Sequence, residues 1–270
     1  MRIDLGIPVG LAIGLAGIIG SVLIEGGHLA AFGNLSALFI IGGGTLGAAM
    51  VSTTVRDVLR LPLLFRKALW GWVGADSRQL IHTLIAAANR ARKDGILALE
   101  ELGNDAAADR FLGQGIRLVV DGADQTTVRQ ILEAEIAAMQ RRHQRGIHLL
   151  ESMGGYAPTM GIIGTVLGLV HVLSKLGEGG TEALGDGIAI AFIATLYGIF
   201  SANVLLLPLA GNLRAKSAEE AFRRQMVLEG ILGILAGDNP HLLEIRLNAY
   251  FPIPPDDRTR VGESAPTSRR

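Results

Sequence analysis

Polar residues thin out four times along the chain. Uncharged or nearly uncharged runs cover Leu5–Ile24, Leu29–Val55, Ser152–Ser174 and Gly187–Leu213. A helix needs about 20 apolar residues to cross the hydrocarbon core of a bilayer, so each run predicts a transmembrane helix. Glu25-Gly26-Gly27-His28 separates the first two and favours an antiparallel hairpin. The glycine-rich Lys175–Asp186 separates the second pair. The first run is longer than a signal-peptide core, is flanked by Asp4 and a single Arg2, and precedes no small-x-small cleavage pattern. It reads as a retained membrane helix.

Between the second and third runs, Arg56–Glu151 shows apolar residues at helical spacing among charges. Ser77 is placed to cap a helix whose Leu80, Ile81, Leu84, Ile85 and Ala88 form one apolar face. Gly95 marks its end, and a short helix over Ile96–Leu102 follows. Phe111, Leu112, Ile116 and Val119 point inward from a helix over Ala107–Val120, stopped by Asp121-Gly122. A long helix starts near Thr126, buries Val128, Ile131, Leu132, Ile136 and Met139, and runs toward the third span. After the fourth run, Arg214–Ala236 is amphipathic, and Asp238-Asn239-Pro240 opens a last helix ending near Tyr250. Pro252–Arg270 is rich in proline and charge and reads as disordered. No useful stretch alternates as a strand. The prediction is an all-α membrane protein with four transmembrane helices and a helical cytoplasmic domain. Its divisions are 1–55 (first hairpin), 56–151 (cytoplasmic helices), 152–213 (second hairpin), 214–251 (C-terminal helices) and 252–270 (tail).

Composition supports this class: 49% of residues are hydrophobic and 19% charged, too apolar for an ordinary soluble domain. A formal net charge of zero gives no footing for nucleic acid. The lack of cysteine excludes disulfides and thiol catalysis. Basic residues orient the spans. Arg56, Arg60, Arg66 and Lys67 follow the second, Arg141, Arg142 and Arg145 precede the third, and Arg214, Lys216, Arg223 and Arg224 follow the fourth. The positive-inside rule puts both termini and the middle segment in the cytoplasm.

The six histidines form no metal-ligand pair and no glycine loop follows a strand, so neither an enzyme nor a cofactor is indicated. In the third span Pro158, Gly161, Thr165 and Gly168 fall near one face. On the fourth, Ala191, Thr195, Gly198 and Ala202 do the same. Two readings stay open: close helix packing alone, or a hydroxyl-lined path. A back-bond from Thr195 to its own helix also stays open. No span carries Asp, Glu, Lys or Arg, whereas ion-coupled transport normally needs an ionisable group in the membrane. Either the protein only packs there, or a partner supplies the carboxylate.

The hairpin with Glu25-Gly26-Gly27-His28, the run Gly42-Gly43-Gly44-Thr45-Leu46-Gly47, the stretch Glu151–Gly161 and Ala194-Thr195-Leu196-Tyr197-Gly198 with Asn203 and Pro208 resemble flagellar motor stator subunits of the MotA/PomA type. These lie within the wider MotA/TolQ/ExbB ion-channel group, and the resemblance extends to Phe251. It implies a ring of five such subunits in the bacterial inner membrane, around a dimer of a MotB-like partner. That partner brings the membrane aspartate and a peptidoglycan-binding domain, and ion flow drives the ring against the flagellar rotor. The resemblance further implies that Pro158 and Pro208 act as hinges coupling ion passage to motion, with ordinary end-of-helix prolines as the alternative. It implies that Arg92 and Glu100 face the rotor switch complex. Thr at both 165 and 195 resembles sodium-driven members, so Na+ is the expected ion and H+ the alternative, with no bound cofactor. An ExbB/TolQ-type energiser and a non-conducting scaffold are the competing functions. Two spans ahead of the cytoplasmic segment, rather than one, argue for the MotA type.

Overall fold

The computed structural model describes residues 6–27, 32–69, 77–104, 109–175 and 181–250. Every regular element among them is helical. In chain order they are α1 (Gly6–Ile24), α2 (Leu35–Ser52), α3 (Val55–Val58), α4 (Leu61–Leu69), α5 (Ser77–Asp94), a 3-10 turn (Ile96–Leu99), α6 (Glu100–Asn104), α7 (Arg110–Val120), α8 (Gln125–Lys175), α9 (Thr181–Phe200), a π-helical turn (Ser201–Leu206), α10 (Leu207–Leu235) and α11 (Pro240–Asn248). Among the described residues four helical stretches are long and apolar enough to span a membrane. The chain divides into two compact units, Met1–Trp72 with Arg141–Ser217, and Val73–Gln140 with Ala218–Arg270. The predicted disorder of Pro252–Arg270 lies outside the described residues.

In the first unit α1 buries no residue, as a lipid-facing helix should. The second span is shorter than Leu29–Val55. Asn34 caps α2 by accepting the Ala37 N–H at 2.9 Å, and residues 29–31 lie outside the described set. At its other end the Thr53 hydroxyl and N–H both turn back to the Ala49 carbonyl, at 2.7 and 2.9 Å. Hydropathy sees neither event, because the capping residues are themselves uncharged. The unit's core is built from Ile41 and Ala49 of α2, Val58, Leu61 and Ala68 of α3–α4, and Ile147, Leu150, Ala157, Ala202 and Ala210. So many alanines let the helix backbones lie close.

Two expectations about helix ends are corrected. Pro158 does not open a helix; it lies inside the 51-residue α8. One proline removes a single backbone bond and frees the carbonyl four residues earlier, that of Gly154, which a helix packed on both sides can tolerate. Pro208 does not close the fourth span either. The helix continues through it to Leu235, so the charged Arg214–Ala236 stretch is not a separate element. The π-helical turn ends two residues before Pro208, and the Leu207 N–H reaches the Ala202 carbonyl five residues back. Widening the helix there relieves the clash a proline ring makes with the turn before it.

The second unit packs α5, α6, α7, α11 and the 3-10 turn with the first part of α8 and the last part of α10. Leu84, Leu99, Leu112, Ile116, Leu132, Met139, Met226, Leu228 and Ile231 are its fully buried large side chains. Each contributes about 1.5–3 kcal/mol of transfer free energy. Ile131, expected inward, is 37% exposed. The helix over Ala107–Val120 starts later, at Arg110, because Asp109 caps it through the Phe111 N–H at 2.8 Å; Ala107 is outside the described residues. Asp124 caps α8 by accepting the Thr127 N–H at 2.8 Å and its hydroxyl at 3.1 Å, and these bonds hold its carboxyl below the ordinary value. Gly95 and Gly122 turn the chain with φ of 83° and 80°, backbone that other residues rarely adopt. Arg223 pairs with Asp109 at 3.3 Å with both side chains nearly buried. Arg224 lies between Glu220 at 2.8 Å and Glu135 at 3.3 Å, over the Phe111 ring.

Candidate ion pathway and coupling residues

Thr165 of α8 and Thr195 of α9 meet. Their hydroxyls are hydrogen-bonded to each other. Thr165 Oγ1 is also 3.1 Å from the Gly161 carbonyl on its own helix and 3.1 Å from the Ala191 carbonyl across the seam. Thr195 Oγ1 lies 3.4 Å from the Gly161 carbonyl. Each hydroxyl has one proton to donate, so two protons are shared among more acceptors than they can serve. Lone pairs on the hydroxyl and carbonyl oxygens therefore remain in one half-buried cluster. Thr165 makes the back-bond common for a membrane threonine, to Gly161, whereas Thr195, for which that reading was left open, reaches the Gly161 carbonyl across the seam.

Glycines allow this approach. A Cβ on Gly161 would sit 3.1 Å from the Ala194 carbonyl and from Thr195 Cα. A Cβ on Gly198 would sit 2.5 Å from the Ala157 carbonyl and 3.2 Å from Pro158 Cα. The same seam thus carries Thr165, Thr195 and the backbone of Pro158. Pro208 is exposed, but its neighbour Leu207 packs on Gly154, where a Cβ would stand 2.6 Å from Leu207 Cδ2. Gly154 is the residue whose carbonyl Pro158 releases, so both proline sites converge on one level of the packing.

Arg92 lies exposed in the last turn of α5, and Glu100 is exposed at the start of α6, beyond the Gly95 turn. Arg92 and Lys93 line a groove of about 580 Å³ with Ile85 and Asn89 and with Asn239, Pro240, His241 and Glu244 at the start of α11. The neighbouring Glu101 is engaged by Arg90 at 2.8 Å.

Residues 8–95 match the family described as Motility protein A N-terminal, and residues 104–226 match the MotA/TolQ/ExbB proton channel family. Motility protein A of Bacillus subtilis strain 168 is 34% identical over 255 residues, 94% of this chain and 93% of that protein. The chain belongs to the MotA/TolQ/ExbB family. Within it, Chemotaxis protein PomA of Vibrio alginolyticus is 32% identical over 248 residues, 92% of this chain and 95% of PomA. The structure of the flagellar MotAB stator complex from Bacillus subtilis matches with a TM-score of 0.88 and 33% identity, covering 96% of this chain and all of that one. Against the MotA fold, two residues stand out that belong to the motifs quoted above but had been given no role of their own. Tyr197 donates its hydroxyl to the Phe32 carbonyl and accepts the Asn34 N–H at 3.4 Å, tying the start of α2 to α9. Thr45 in α2 is 4% exposed and its hydroxyl has no partner among the described residues. The only signal for either was a polar group inside a small-residue run.

Proposed function

We propose that this chain is the ion-conducting stator subunit of a bacterial flagellar motor, working as a ring around a MotB-like partner in the inner membrane. The observation that carries the reading is the Thr165–Thr195 oxygen cluster on a helix seam that lacks any carboxylate of its own. A partner helix with an aspartate beside this seam completes an ion path, and Pro158, on the same seam, transmits a change there along α8. Both termini and the second unit lie in the cytoplasm, following the basic residues that flank the spans. There Arg92 and Glu100 meet the rotor. The N-terminal match, which covers α2 and all but the first two residues of α1, favours this function over an ExbB/TolQ-type energiser.

Sodium is the coupling ion in this reading. A partly dehydrated Na+ needs several hard oxygens, which two hydroxyls, neighbouring carbonyls and a partner carboxylate supply together. The test is complementation of a stator deletion by this chain with its native partner, with swimming speed measured against external sodium at fixed pH. Restored, sodium-dependent swimming is expected. Full speed without sodium overturns the ion assignment and leaves proton drive; failure to swim at any sodium concentration, with the complex assembled, overturns the stator reading.

A further inference from the structure

We propose that α3 and α4 form a binding surface for anionic phospholipid headgroups at the end of α2. The proposal rests on reading α1 and α2 as membrane spans. The segment shows three kinds of side. Val58, Leu61 and Ala68 are buried against Ile147, Leu149 and Leu150 of α8. Val55, Leu59 and Leu63, four residues apart, are 56%, 71% and 39% exposed. Arg56 and Arg60, around the end of α3, and Arg66 and Lys67, in the last turn of α4, are also exposed.

An exposed row of three aliphatic residues is unfavourable in water. Flanked by basic residues, it has the composition of a helix lying in a bilayer interface, with apolar side chains among the acyl chains and guanidinium groups at the phosphates. The chain leads there directly. In the last turn of α2 Val51 is 90% exposed, and Val55 begins α3. The one acid in the segment, Asp57, is held by the Thr54 hydroxyl at 2.7 Å and lies at the edge of pairing with Arg60, at 4.0 Å. The exposed charge left over is positive, which complements anionic rather than zwitterionic headgroups. The occupant is therefore anionic lipid, not a second protein.

The full chain, purified with its partner, is reconstituted in phosphatidylcholine bilayers containing trace spin-labelled phosphatidylglycerol or phosphatidylcholine. Electron paramagnetic resonance then reads the fraction of each label immobilised on the protein. The native complex should prefer phosphatidylglycerol by about two- to five-fold, the upper figure corresponding to one basic residue's worth of attraction to an anionic surface. Arg56→Gln/Arg60→Gln/Lys67→Gln should cut that preference at least by half, and raised salt should do the same in the native complex. Arg142→Gln should leave it unchanged, because Arg142 lies about 15 Å along α8 before the third apolar run at a 1.5 Å rise per residue. Size-exclusion chromatography checks that each variant still assembles. No preference in the native complex, or an unchanged preference in the assembled triple variant, overturns the proposal. So does loss of assembly with lipid selectivity intact, which would mark the surface as a protein contact.

Discussion

Gly198→Ala tests whether the α8–α9 seam is as close as function requires. The added methyl would stand 2.5 Å from the Ala157 carbonyl, roughly 0.9 Å inside ordinary contact at 3.4 Å. Both atoms belong to backbone or to a carbon fixed on it, so no flexible side chain can swing away. The helices must part by about that distance. Overpacking of this kind costs about 1–3 kcal/mol. The same movement takes Thr165 Oγ1 from 3.1 Å to about 4 Å from the Ala191 carbonyl, beyond hydrogen-bond range, which adds about 0.5–1.5 kcal/mol. Gly211→Ala is the control: nothing lies within 4 Å of its added carbon, and alanine favours a helix by about 0.5–1 kcal/mol. Thermal unfolding of the purified complex in detergent, with swimming speed alongside, should rank Gly198→Ala well below the parent and Gly211→Ala at or above it. Equal stability and equal speed for the two variants would refute the close-seam argument.

Two further outcomes are expected. Asp109→Ala removes the carboxylate from the nearly buried Arg223 and the cap from α7, at about 3–5 kcal/mol for breaking a buried pair; hydrogen exchange should show α7 losing protection, and native-like protection would contradict the pair's role. Arg92→Glu with Lys93→Glu reverses the charge of the α5–α11 groove without touching a buried residue. Torque in tethered cells should fall while membrane level and complex assembly hold, and unchanged torque would remove Arg92 from the rotor contact.

Much of this fold could be read along the chain because its signals are local. Uncharged runs are found by counting, and Gly95, Gly122 and Pro240 punctuate helices through their own backbone preferences. Capping was legible only where an acid or amide faced an open turn, as at Asn239. The start of α2 at Asn34 was lost inside an apolar run. Pro158 and Pro208 suggested helix ends because proline usually marks them; packing against Gly198, and the wider turn before Pro208, decided otherwise. Thr165 and Thr195 were each placed on a small-residue face, but their contact depends on glycines 161 and 198 on opposite helices. The Arg223–Asp109 pair joins residues more than a hundred positions apart, which no spacing rule connects.

The wider turn at Ser201–Leu206 has an effect on angular phase. An α-helix advances about 100° per residue, so one wheel describes it only while that step holds. A turn closed five residues back takes up one residue more and resets the step. The schedule that turns Ala191, Thr195 and Gly198 toward α8 therefore need not be the schedule that buries Met226 and Ile231. Between Gly187 and Leu235 the chain behaves as two wheels on one axle, each free to present the face its surroundings require.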